Sequence, residues 1–249
     1  MARAAVLGRL TWQAARLAAR RRETATTATL VLDVPEWPGH RAGQHVDVRL
    51  TAEDGYTAQR SYSIASAPEA EDLEITVERL SDGEVSPYLV DDFAEGDAIE
   101  LRGPIGGYFV WSADRTAPLQ LIAGGSGLVP LMCMLRHRAA RGGTAPTRLL
   151  LSARTYEDVL YREELERLGA GDGVAVDVVL TRAAPEGWTG RRGRIDAAFL
   201  AESTWGAELE PEIFICGPTS FVEVAAQGMV DSGHDPLRVK TERFGATGG

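Results

Sequence analysis

The sequence predicts two successive units, an antiparallel β-barrel over residues 1–113 and a parallel α/β nucleotide-binding unit over residues 114–249. Three observations carry this. Residues 26–111 hold short β-rich runs separated by Pro, Gly and Asp turns, the pattern of a small antiparallel sheet or barrel. From residue 119 onward the rhythm changes to strand then helix, with unalternating apolar runs such as Leu149-Leu150-Leu151 that suit a parallel sheet covered on both faces. At the start of that rhythm, Leu119-Gln120-Leu121-Ile122-Ala123 feeds Gly124-Gly125-Ser126-Gly127-Leu128-Val129-Pro130, a strand running into a glycine-rich turn and a helix.

In the first unit, residues 29–34, 44–50 and 73–78 read as strands, and 86–93 as the one helix. Polar and apolar residues alternate in the second and third runs, so each has one wet and one buried face. By its alanines the stretch 12–22 reads as helix. After a break at 112–118, strands are expected at 119–123, 147–152, 174–181, 212–216 and 237–241, and helices at 129–141, 161–168 and 221–230.

Composition excludes several classes. Thirty-six acids against 26 bases, a net charge of −10, oppose general attraction to nucleic acid or an anionic membrane. Two cysteines, Cys133 and Cys216, cannot build a disulfide framework, a four-thiolate zinc site or an iron–sulfur cluster. With four histidines and no HExxH or Cys-x-x-Cys, no protein-held metal is expected. The most apolar stretch, 119–135, is broken by Gly124, Gly125, Gly127 and Pro130, short of the about 20 apolar residues of a membrane span. Residues 1–22 carry Arg3, Arg9, Arg16, Arg20, Arg21 and Arg22 with no acid, a transit-peptide-like composition. Without a continuous apolar region the preferred reading is an irregular tail entering the first strand, and the expected location is the cytoplasm.

Glycines in the 124–127 turn let a backbone approach a pyrophosphate closely, and the helix behind it offers unpaired N–H groups; a tight turn with no ligand is the alternative. Ser126 is not a nucleophile elbow, because Gly-x-Ser-x-Gly needs glycine where Leu128 stands. At the end of the next strand an NAD-type site expects an acid, whereas this chain has Ser152-Ala153-Arg154. Arg154 and Arg162 suit a 2′-phosphate, with two solvated arginines as the other reading. Arg60 and Tyr62, two apart on a strand, share a face and offer a guanidinium beside an aromatic plane, fit for a flat phosphate-bearing cofactor or simply an exposed pair.

Arg60-x-Tyr62-Ser63-x-x-Ser66, Gly83-Glu84-Val85-Ser86, Gly103-Pro104-Ile105-Gly106, the 124–130 turn and Cys216-Gly217-Pro218, in that order, resemble the ferredoxin-NADP reductase family over residues 30–244. The resemblance implies an FAD-binding antiparallel barrel followed by a five-stranded parallel NAD(P)-binding domain, and a first strand, not a helix, within 12–22. It makes Arg60 a partner of the FAD pyrophosphate, Tyr62 the ring stacked on the isoalloxazine and Ser63 a hydroxyl near flavin N5. Gly83, Val85 and Ser86 serve the pyrophosphate, and Val77, Glu78 and Arg79 line the ribityl and adenosine part. Gly124, Gly125, Ser126 and Gly127 receive the nicotinamide nucleotide's pyrophosphate. Cys216, Gly217 and Pro218 border the nicotinamide, with a buried core thiol as the competing reading of Cys216. Phe244, in Thr241-Glu242-Arg243-Phe244, covers the flavin's other face.

The expected function is an FAD-dependent reductase taking hydride from NADPH, with NADH as the alternative, and passing single electrons onward. Many relatives continue into a two-iron ferredoxin domain, and this chain lacks its cysteines, so the expected acceptor is a separate ferredoxin or oxygenase component serving an oxygenase or cytochrome P450. Rival readings are reduction of a small acceptor (free flavin, quinone or ferric iron), an electron-transfer subunit of a larger complex, or a nucleotide-binding sensor without turnover. Arg136-His137-Arg138 and Arg191-Arg192-Gly193-Arg194 are candidates for an acidic carrier's docking patch, or for solvated faces.

Overall fold

A computed structural model describes residues 10–171 and 173–244. Six antiparallel strands form the first sheet: β1 (Gln13–Arg22), β2 (Thr27–Asp33), β3 (His45–Thr51), β4 (Thr57–Ser63), β5 (Leu73–Glu78) and β6 (Ala98–Ile105), in the order β4-β3-β6-β1-β2-β5. An isolated Ile64–Ile75 bridge joins the two ends of that order, curling the sheet toward a barrel. Leu30, Val46, Val48, Ile64, Ile75 and Leu101 fill its interior, with Leu89 from the short helical stretch 86–92 and Phe93 just after it beneath them.

The first strand that the resemblance implied within 12–22 is present as β1, and the helix that the alanines alone suggest is not formed. Its Ala15 and Leu17 are buried and Arg16 exposed, a period of two, and its backbone pairs with both β2 and β6. As a helix it would strip one ladder from each of β2 and β6 and open the sheet between them, a larger loss than the alanines' weak propensity offers. Residues 1–9 of the expected tail lie outside the described residues.

The second sheet is parallel, with β7 (Leu119–Gly124), β8 (Thr147–Ala153), β9 (Val174–Leu180), β10 (Glu212–Pro218) and β11 (Val239–Phe244) in the order β11-β10-β7-β8-β9. Its strands feed two cores. Leu121, Leu149, Leu151 and Phe214 face α1 (Leu128–Ala140) and α2 (Arg162–Gly169), whereas Ile122, Leu150, Ile213 and Ile215 face α3 (Ala197–Ser203) and α4 (Thr219–Asp231). Sequence periodicity missed α3, whose start is marked by Asp196: its carboxylate accepts the Phe199 N–H at 2.8 Å. Among the described residues no helix is long and apolar enough to cross a membrane.

The two units share packing. Ala42, Ala65, Phe109 and Trp111 of the first half belong to the same core as α1. Arg136 on α1 donates to the Ala65 carbonyl at 2.8 Å and reaches Glu74 of β5 at 3.2 Å, while Cys133 donates to the Ser66 carbonyl at 2.9 Å. The chain runs from β7 outward to β9 and returns to β10 on the other side of β7, so a crevice opens at the carboxyl ends of β7 and β10.

Candidate functional site

That crevice is a cavity of about 260 Å³ lined by Gly124, Gly125, Ser126, Ser152, Arg154, Pro218, Phe221 and Phe244, and from the barrel by Thr24, Thr26, Thr27 and Glu78. The glycines have separate reasons. Gly125 sits at φ +55° with open space where a side chain would point. A Cβ on Gly127 would collide with the Cys216 carbonyl, and one on Gly124 would lie 2.8 Å from the Phe221 ring. The turn is therefore wedged between β10 and α4, with Gly125 on the open side. No side chain caps α1 and no acid lies in its first turn, leaving its partial positive charge for an anion, although the Leu128 N–H closes back onto the Gly125 and Ser126 carbonyls.

At the end of β8, Ser152 is buried at the cavity wall and Arg154 keeps 63% of its side chain exposed. Arg162, expected beside Arg154, is not among the lining residues: its guanidinium lies 4.6 Å from the Tyr156 ring centre. Asp158, also at the wall, is occupied by a capping box, accepting from the Thr155 N–H and hydroxyl at 3.1 Å. Glu78 crosses from the barrel to accept the Ser126 hydroxyl at 2.7 Å.

On the barrel, β4 carries Arg60, Tyr62 and Ser63 at the edge of the strand order. Arg60 is exposed and donates to the neighbouring Gln59 carbonyl at 2.7 Å; among the described residues no carboxylate pairs with it. Tyr62 packs against the barrel core, and burial pushes its phenol well above the usual range. Ser63 stands opposite His45 in the β3–β4 ladder. Gly83 lies on a turn braced by Ser86, whose Oγ accepts the Leu80 N–H at 3.1 Å. Val77 and Val85 are fully buried, so only their backbones are available to a ligand. Arg79 is engaged by Asp91 at 2.8 Å, which also takes Arg22 at 3.2 Å.

Beside the turn, β10 and β11 run in register, Cys216 opposite Glu242 and Pro218 opposite Phe244. Cys216 is 1% exposed in the α1-side core, and burial, reinforced by Glu242, holds its thiol well above the ordinary range. Phe244 stands exposed at the crevice mouth. Glu242 escaped the sequence reading; burial pushes its carboxyl up to about 7. Its signal was the register itself, an acid two residues before Phe244, visible only once β11 is paired. Lys240 lies over the Phe214 ring, Nζ 4.9 Å from its centre, and burial lowers its amine.

The basic groups divide. Arg136 is spent on Glu164 at 2.6 Å and on the barrel contacts above, His137 contacts Glu69 at 2.9 Å, and Arg138 donates to the Ala145 carbonyl at 2.9 Å. Arg136 and His137 thus join α1 to the first unit, whereas Arg138 bonds within the second. Arg191 pairs with Asp196 at 2.8 Å, leaving Arg192 and Arg194 exposed.

The Oxidoreductase FAD-binding domain family matches residues 14–110, and the Oxidoreductase NAD-binding domain family matches residues 121–227. Ferredoxin--NADP reductase B of Sorangium cellulosum is 35% identical over 212 residues, covering 82% of this chain and 84% of that protein. The chain belongs to the ferredoxin-NADP reductase family. The glycine betaine monooxygenase reductase subunit of Chromohalobacter salexigens is a further member-like relative, 33% identical over 227 residues, 89% of this chain and 60% of that protein. This ferredoxin-NADP reductase family chain therefore spans just under two thirds of the length of that relative. Among solved structures, a ferredoxin NADP+ reductase from Neisseria gonorrhoeae with bound FAD and NADP superposes with a TM-score of 0.79 at 21% identity, covering 94% of this chain and 98% of that one. A cytochrome P450 reductase from Amycolatopsis gives 0.82 at 27% identity, covering 97% and 73%. The barrel followed by the five-stranded parallel sheet is the family's fold, as the motifs implied.

Proposed function

We propose that the chain is an FAD-containing reductase that oxidises a pyridine nucleotide, NADPH ahead of NADH, and delivers single electrons to a separate ferredoxin or oxygenase component of an oxygenase or cytochrome P450 system. The observation that carries this is the crevice, where a glycine turn with an uncapped helix meets barrel residues at one cavity.

The barrel suits FAD on its own terms. Arg60 offers a guanidinium that no carboxylate among the described residues pairs with, Tyr62 a ring backed by the barrel core, and Ser63 a hydroxyl one residue on. Gly83, Val85 and Ser86 would hold the pyrophosphate through the turn and the start of the helical stretch, Val77 contributing backbone. FAD, when bound, supplies acceptance of a hydride pair and its release one electron at a time. Gly124, Gly125, Ser126 and Gly127 would take the nucleotide's pyrophosphate, and Gly217 and Pro218 would set the edge against which the nicotinamide rests. Phe244, free at the mouth, would shield the flavin face until nucleotide arrives. Cys216 acts through its backbone and bulk, its thiol being buried and protonated. The preference for NADPH rests on Arg154 and Ser152, with no acid at the end of β8; Arg162 supports it only by leaving the Tyr156 ring.

The boundary between the units belongs at 113/114, inside the connection from β6 to β7. The proposed location is the cytoplasm, a reading supported by two separate unpaired buried thiols. Arg192 and Arg194 remain as docking charge for an acidic carrier.

The test is a visible spectrum of the purified protein, repeated without oxygen after adding NADPH or NADH. A flavin spectrum that bleaches faster with NADPH is expected, and Tyr62→Ala should lose flavin on gel filtration. Protein that neither carries FAD nor takes it up on addition would overturn the reading.

A further inference from the structure

Glu78, the last residue of β5, has no partner on its own side of the crevice among the described residues. Its two oxygens reach across: Oε2 accepts the Ser126 hydroxyl at 2.7 Å, and Oε1 stands 4.0 Å from the Arg154 guanidinium. Ser126 belongs to the turn in front of α1, which no side chain caps, and Arg154 ends β8 on the same cavity wall. The other acid at that wall, Asp158, is turned onto Thr155. A single carboxylate thus sits between the hydroxyl and the guanidinium that a phosphorylated nucleotide would use.

From this we infer that Glu78 is an internal anion at the nucleotide site, which a 2′-phosphorylated nucleotide must displace, and that it sets the discrimination between NADP and NAD. The inference rests on the reading of the crevice as a pyridine-nucleotide site. Two anions cannot share one guanidinium at these distances without mutual repulsion. Arg154 already has a carboxylate 4.0 Å away before nucleotide arrives, so the 2′-phosphate meets Glu78 as competitor as well as Arg154 as partner. NAD carries no 2′-phosphate, so it contends with Glu78 only at Ser126. The carboxylate accordingly weakens NADP more than NAD, narrowing the preference that Arg154 provides and loosening the oxidised product after turnover. Glu78 is a specificity-determining residue by position, flanked by Val77 and Arg79 on the strand that borders the FAD side.

Binding of NADP+ and NAD+ to the full chain, measured by calorimetry, tests this without turnover. Glu78→Gln keeps the size and an oxygen for Ser126 while removing the charge. The expected result is a Kd for NADP+ lower by about three- to tenfold, the range of exchanging one exposed ion pair for another, with NAD+ changing less than about twofold. A Kd for NADP+ that stays the same or rises, or an equal gain for NAD+, overturns the inference and makes Glu78 a ligand of the nucleotide or a bystander. Should Glu78→Gln lose its fold, Glu78→Asp withdraws the carboxylate by one methylene and is expected to give a smaller gain in the same direction; no gain there overturns the inference equally. Wild-type protein that binds neither nucleotide at millimolar concentration overturns the underlying reading instead, a result the variants cannot mimic.

Discussion

The Tyr161 hydroxyl, at the entrance to α2, donates to Thr76 Oγ1 in the barrel strand β5 at 2.5 Å. Thr76 in turn lies 2.8 Å from the Thr29 hydroxyl, which donates to Glu23 at 2.6 Å. Tyr161 holds φ +52°, a left-handed conformation uncommon for a residue with a side chain, and the ring is 5% exposed. The nucleotide unit is thus anchored to the other unit by a polar chain of buried hydroxyls that ends on half-buried Glu23.

Tyr161→Phe keeps the ring and removes that anchor. Stability to urea is expected to fall by about 1–2 kcal/mol, the cost of leaving buried hydroxyls short of a partner. An unchanged urea midpoint would show that the anchor contributes nothing.

Arg136→Met removes the guanidinium that joins Glu164, Glu74 and the Ala65 carbonyl, 4.8 Å from the Tyr161 ring centre. Glu74 keeps Arg21 at 2.7 Å, whereas Glu164 loses its cation. The expected loss is about 2 kcal/mol, below the cost of a fully buried pair because Glu164 is partly exposed. Adding Glu164→Gln should recover part of it in the same denaturation assay; a double variant as unstable as the sum of both changes would argue against the pairing.

Two glycines of one turn should respond differently to alanine. Gly127→Ala drives a methyl into the Cys216 carbonyl and requires β10 to move, so soluble yield and nucleotide binding should collapse. Gly125→Ala meets open space and carries only the left-handed strain, about 1–2 kcal/mol, so the protein should fold with a lowered Tm. Equal behaviour in thermal melts would contradict the wedge.

Glu242 gives stability a pH dependence. Its carboxyl is raised from 4.5 to about 7 by burial, so between these values the folded chain binds a proton that the unfolded chain has released. Its contribution is fully present below pH 4.5 and is lost as pH rises through 7, by about 3 kcal/mol at most. Thermal melts across that window should flatten in Glu242→Gln relative to the parent; identical slopes would place the carboxyl in water.

Much of this was legible because local signals agreed with tertiary demands. The apolar run before Gly124 reads as an interior strand, and the glycine turn behind it is set by packing against Cys216 and Phe221, so its glycines marked its place. The composition of residues 12–22 weakly favours helix in isolation, and only the resemblance pointed to the strand that the ladders with β2 and β6 require. The settings of Arg136 and Arg162 were not legible for a different reason. A sequence shows that a guanidinium exists but not which way its helix faces, and one points at the barrel while the other lies on Tyr156. Glu78 could be placed beside a cofactor by motif, yet its reach to Ser126 depends on how two separate sheets meet.

The chain contains one lysine, Lys240, and its place on β11 makes it a chemical address. Its amine is depressed by burial and partly reachable, so acylating reagents at mildly alkaline pH should modify it in preference to ordinary surface amines elsewhere in a mixture. A dye or crosslinker fixed there would sit on the strand that ends at Phe244, reporting on movement of that segment with essentially single-site labelling beyond the terminal amine.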